Sequence, residues 1–217
     1  MNQAKYLNQN KFVKIDRIEP KRSFVISQLI RNIDKRNKRY LPGLSKEEFK
    51  KRLQKAKDIV LALSEKEIDK RIEADSVKYK RRLKFYNSIH WYKGIIKANE
   101  VGVWKGAGGL PLEWTQGSLA ETASIVHKAI EDEGNNKVAA RAKRAIPRIL
   151  ENINVIEKEK YLYPIILPPA TNGRGLYGKP YEHFKLMKGD TDDGCMRSIA
   201  LVISGRSDIS AYIGIGD

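Results

Sequence analysis

Apolar positions along the first ninety residues recur at helical rather than strand spacing. After an extended-looking start and Pro20, the positions Phe24, Val25, Ile26, Leu29, Ile30 and Ile33 predict a helix over 20–39, which Pro42-Gly43 ends. Ser45-Lys46-Glu47-Glu48 is a capping box, in which serine and glutamate satisfy each other's orphan amides. The stripe that follows, Phe49, Leu53, Ala56, Val60 and Leu63, steps by four and three. A second cap at Ser64–Glu67 introduces Ile68 and Ile72, with helical spacing extending through Tyr79, Leu83, Tyr86 and Ile89.

The texture changes between Gly94 and Gly117, where glycines accumulate and helical periodicity stops, predicting a hinge. Ser118-Leu119-Ala120-Glu121 is another capping box, and its helix should stop at a glycine cap near Gly134. A further helix is predicted over 137–150, with Pro147 bending its last turn. Beyond Asn152 the short apolar runs 161–167, 199–203 and 212–215 predict strands. The expected fold is α+β: a basic helical N-terminal half, 1–105, and a C-terminal α/β half, 106–217, with two helices and a small β-sheet.

Charge sharpens this division. Of 42 Lys+Arg and 26 Asp+Glu, residues 1–105 hold 28 and 12, whereas residues 106–217 hold 14 of each, so the net +16 belongs to the first half. Such a field attracts phosphates and predicts salt-sensitive binding of nucleic acid, DNA or RNA, with an acidic protein partner as the alternative. With 41% apolar and 31% charged residues the chain has the balance of a folded protein. No apolar stretch is long enough to cross a bilayer, so no membrane partner is expected. The start Met1-Asn2-Gln3-Ala4-Lys5-Tyr6 lacks the pattern of a secretory signal, and the single cysteine allows no internal disulfide, so a cytoplasmic setting is expected.

The candidate phosphate contacts are Lys78, Lys80, Arg81, Arg82 and Lys84, a run without acidic residues interleaved with Tyr79 and Tyr86. A second stripe, Lys137, Arg141, Arg144 and Arg148, steps by four, three and four; it could instead pair with Glu131, Asp132 and Glu133. Arg174 sits in a glycine-rich loop able to follow a phosphate. Trp91, Trp104 and Trp114 fall in one window, as a stacking platform for bases or as core anchors. No nucleotide-binding glycine pattern is present, the Asp190–Gly194 segment lacks the alternation of a calcium loop, and Glu48–Lys50 lacks a partner aspartate for a nuclease. No cofactor and no metal are expected.

Asp193-Gly194-Cys195-Met196-Arg197, with His183 upstream, resembles the Gly-Cys-hydrophobe-Arg segment and preceding histidine of L,D-transpeptidases. That resemblance implies a Cys195 thiolate nucleophile with His183 as its base. It covers only these positions: His183 is not followed by glycine, and the helices over 118–150 leave little room for that family's β-rich core. A buried structural cysteine is the competing reading. The leading expectation is therefore a nucleic-acid-binding protein making mainly phosphate contacts with little sequence readout. The alternatives are an assembly component of a nucleoprotein complex or viral particle, and a thiol enzyme.

Overall fold

The structure is a computed structural model, and the residues it describes are 12–34, 36, 39–41, 43–75, 77–104, 106–134, 137–138, 142, 144–156, 162–167 and 189–215. The chain opens with strand β1 (Phe12–Ile15) and helix α1 (Ile18–Leu29). The helix expected over 20–39 is thus shorter at its far end. It gives way to a small hairpin of β2 (Ile33–Asp34) and β3 (Arg39–Tyr40). Local side-chain and turn bonds replace the helical ones there: the Arg36 amide donates to Asp34 Oδ1 at 2.9 Å, and the Leu41 amide to the Asn32 carbonyl at 3.0 Å.

Helix α2 (Lys46–Leu61) starts at the expected capping box, with the Glu48 amide 3.2 Å from Ser45 Oγ and the Ser45 amide 3.0 Å from Glu48 Oε2. Phe49, Leu53, Ala56 and Val60 are its buried stripe. The predicted continuous stretch beyond Ser64 is two helices, α3 (Glu65–Asp75) and α4 (Val77–Ser88). Its apolar positions Ile68, Ile72, Leu83, Tyr86 and Ile89 are nonetheless all buried.

The segment read as a hinge carries two strands, β4 (His90–Lys97) and β5 (Val101–Val103), followed by the 3-10 turns Ala107–Gly109 and Leu112–Thr115. Helix α5 (Leu119–Glu133) follows the sequence expectation at both ends. The Ser118–Glu121 box caps it, and Gly134, at φ 75°, ends it by donating to the Ile130 carbonyl. Residues 137 and 138 are helical as expected, but the expected 137–150 is interrupted, and helix α6 (Ala145–Ile156) starts anew after it. Pro147 lies in its first turn, where a missing amide costs no intrahelical bond, so the proline opens this helix instead of bending its end.

Strand β6 (Ile165–Leu167), strand β7 (Gly189–Asp193), helix α7 (Cys195–Ile203) and strand β8 (Asp208–Ile215) complete the chain. Residues 199–203, expected as a strand, belong to α7. This helix is buried along nearly its whole length between α5, α6 and the core, so its apolar run is continuous and its period cannot distinguish helix from strand. The turn into α7 requires Gly194 at φ +92°; a Cβ there would meet Arg197 Nη2 at 2.8 Å and Pro164 Cα at 3.2 Å.

Six strands form one mixed sheet in the order β1-β4-β8-β6-β7-β5. The pairs β1/β4, β4/β8 and β6/β7 are antiparallel, and β6/β8 and β5/β7 parallel. The fold is α+β, with the sheet drawing β1, β4 and β5 from the basic half and β6, β7 and β8 from the neutral half. Strand alternation divides its two faces. Ile96, Ile166, Ile209, Ala211 and Ile213 join α5, α6 and α7 in one core; Trp91 and Ile165 join α1 to α4 in the other. Among the described residues no helix is long and apolar enough to cross a membrane.

Candidate nucleic-acid interface

Among the described residues, the bases of the first half divide into a buried minority and an exposed majority. Lys21 is fully buried on α1, and its ammonium lies 2.7 Å from Glu65 Oε1 and 2.9 Å from Asp69 Oδ1, both on α3. Arg82 on α4 is 5% exposed and grips Asp192 of β7 with two nitrogens, Nε to Oδ2 at 2.9 Å and Nη2 to Oδ1 at 3.1 Å. Its guanidinium also lies 4.4 Å from the centre of the Phe24 ring. The Tyr86 hydroxyl donates to the same carboxylate at 2.7 Å, and the Trp91 indole N–H donates to the Tyr86 carbonyl at 2.9 Å.

Arg197 on α7 does the same for the neighbouring carboxylate. It donates to Asp193 Oδ2 at 3.0 Å and to Ser27 Oγ at 3.1 Å, while Arg31 stands 3.7 Å from Asp193 Oδ1. The adjacent acids respond oppositely. Burial dominates at Asp192 and raises its carboxyl above the usual range, against Arg82 and Tyr86. Burial also works to raise Asp193, but Arg197, Arg31 and Arg82 together outweigh it and hold that carboxyl low. Burial, then the Asp192 charge, pushes the Tyr86 phenol well up, which keeps it a donor.

These pairs decide several expectations. Arg82 faces inward, so the phosphate contact expected of it is replaced by an ion pair; one turn further on, Tyr86 is core and not a stacking surface. Lys84 on the same helix is exposed. Lys78, Lys80 and Arg81 lie on the first turns of α4, with side chains outside the described residues. Arg144 is exposed in the turn before α6, and Arg148 is half-buried on α6 beside a small cleft shared with Arg31, Glu151, Asn152 and Arg197. The stripe 137–148 is therefore not one helix face; Arg141 and Arg174 lie outside the described residues. Trp91 and Trp114 are buried and Trp104 packs against the core, so all three tryptophans are anchors.

The carboxylates of Asp192 and Asp193 are taken up by arginines, and among the described residues no three His, Cys, Asp or Glu side chains gather around a metal-sized space. Cys195 is buried at the start of α7, and its thiol donates to the Thr191 carbonyl at 3.1 Å. His183 lies outside the described residues. A thiol buried in this way has the surroundings of an inert structural cysteine.

Helix α2 supplies basic residues that charge counting along the chain does not single out. Lys50, Lys51, Arg52 and Lys55 are exposed, and Lys46 and Lys57 are half-buried. At 100° per residue Lys46, Lys50 and Lys57 fall within about 40° of one another, on a flank that holds no acid. The signal that could have found them is the spacing of four and seven within a well-capped helix. Lys66, Lys70 and Arg71 extend the exposed positive surface onto α3. Compared with protein-family models, with curated proteins and with solved structures, the chain matches none.

Proposed function

We propose that this protein binds nucleic acid through phosphate contacts, with little readout of sequence. The observation that supports this reading is the sorting of charge. Among the described residues the buried bases Lys21, Arg82 and Arg197 each have their own carboxylate, whereas most of the other described bases are exposed. On α2, α3 and α4 those bases lie on neighbouring helices of one layer, the arrangement that meets a phosphate backbone at several points.

The test is a titration of labelled DNA and RNA, single-stranded and duplex, followed by fluorescence anisotropy over a salt series. Affinity should fall steeply with salt, by a logarithmic slope of about 0.9 per phosphate neutralised on duplex DNA. The triple variant Lys80→Glu, Arg81→Glu, Lys84→Glu should bind at least about tenfold more weakly and flatten the slope by about one for each phosphate no longer neutralised. Absence of binding at low salt, or a triple variant indistinguishable from the parent, overturns the proposal.

A further inference from the structure

We infer that the part of the sheet left uncovered by α1 to α4 is a platform for single-stranded nucleic acid, an inference that rests on the nucleic-acid reading above. Helices cover the Trp91 face at one end only. Further along that face, register sets Val13 of β1, Lys93 of β4 and Tyr212 of β8 side by side. Ile95 and Lys97 continue the β4 row. Val13 is 67% exposed and Ile95 45% exposed, and Lys93 and Lys97 are exposed as well.

The row has the composition of a surface that meets both bases and phosphates. Lys93 and Lys97 are four residues apart on one strand, about 13 Å at the usual rise, with Ile95 between them. The Lys93 ammonium stands 4.7 Å from the centre of the Tyr163 ring, and Tyr163 meets Tyr212 edge to face at 5.5 Å. Burial first, then Glu19 and Tyr163, pushes the Tyr212 phenol up to about 12, so its ring stays uncharged. Asp208 lies across from Lys97 and offsets part of its charge, which leaves Lys93 as the main phosphate contact.

A protein occupant fits this face less well. A second copy packed here would take the Lys93 ammonium out of water, which is costly unless the partner brings a carboxylate to it. A duplex also fits less well, because its bases are stacked inside and would leave Val13, Ile95 and the tyrosine edges facing phosphate. A single strand presents base faces to the apolar and aromatic positions and phosphates to the lysines.

The experiment compares oligo-dT and oligo-U of fifteen nucleotides with a fifteen-base-pair duplex, using the parent, Lys93→Glu/Ile95→Glu, and Lys128→Glu on the exposed surface of α5 as a charge control. Thermal melting checks each fold, and Lys93→Gln/Ile95→Thr serves if the glutamate pair does not fold. Single-strand affinity should drop about tenfold or more in the sheet variant, the loss expected when a base contact and a phosphate contact go together, while duplex affinity changes by less than about threefold. The control should stay within about threefold on every ligand. Equal losses for the sheet variant and the control would overturn the platform while leaving nucleic-acid binding by the helices intact. Loss of all binding in the parent would remove both readings. A parent dimer in sedimentation equilibrium that Ile95→Glu dissociates would assign the face to a second copy instead.

Discussion

Removing the Asp192 carboxylate should damage the fold far more than removing the Arg82 guanidinium that it holds. Both groups are almost wholly enclosed, with two nitrogen–oxygen contacts of 2.9 and 3.1 Å and the Tyr86 hydroxyl at 2.7 Å. Asp192→Ala strands a guanidinium that cannot shed its proton, at about 3–5 kcal/mol for a broken buried pair. For a chain of this size that corresponds to roughly 6–20 °C in melting temperature. Arg82→Met instead strands a carboxylate that can protonate, and burial already raises that carboxyl, so the loss should be smaller and should shrink further on going from pH 7 to pH 5. The triple change Arg82→Met, Asp192→Leu, Tyr86→Phe removes these three polar groups together and should recover most of the stability. Urea denaturation of the three proteins at both pH values supplies the numbers. A loss under about 1 kcal/mol for Asp192→Ala, or a triple variant no better than it, would refute the account of this cluster as a mutually neutralising pair. Because Arg82 is enclosed, the proposed nucleic-acid binding should be the same for the triple variant as for the parent.

Two further outcomes follow from the same chemistry. Asp193 and Glu65 both have folded carboxyls held low, Asp193 by its three arginines against burial and Glu65 chiefly by the Lys21 hydrogen bond. Their stabilisation is therefore present above the unfolded value near pH 4 and lost as pH falls through the lower folded value; Asp193→Asn should be less stable at pH 7 and flatten acid unfolding measured by circular dichroism below about pH 4. Cys195 should react with a thiol reagent such as dithionitrobenzoate at least about a hundredfold faster in urea than in buffer, because reaction requires the buried thiol to become accessible. Rapid labelling of the native protein would favour the thiol-enzyme alternative.

What the sequence made legible was local, and what it hid was set by partners distant in the chain. The three capping boxes at Ser45, Ser64 and Ser118, and the apolar stripe of α2, are decided within one or two turns, and the structure has them where spacing put them. Strand β4 was hidden because its burial switches faces along its length: Trp91 serves one core and Ile96 the other, so an alternating pattern reads as irregular glycine-rich chain. Helix α7 was hidden for the opposite reason, being apolar on nearly every side. The basic run of α4 shows the limit most plainly. Its composition cannot tell Arg82 from Lys84; what separates them is Asp192, 110 residues away, whose carboxylate meets the guanidinium at 2.9 Å only when β7 joins the sheet. Net charge therefore motivates a binding experiment, while the assignment of individual arginines to phosphate or to core depends on tertiary pairing. The exposed row on β4 belongs to the same category, since Val13, Lys93, Tyr163 and Tyr212 become one surface only through strand register and packing between remote parts of the chain.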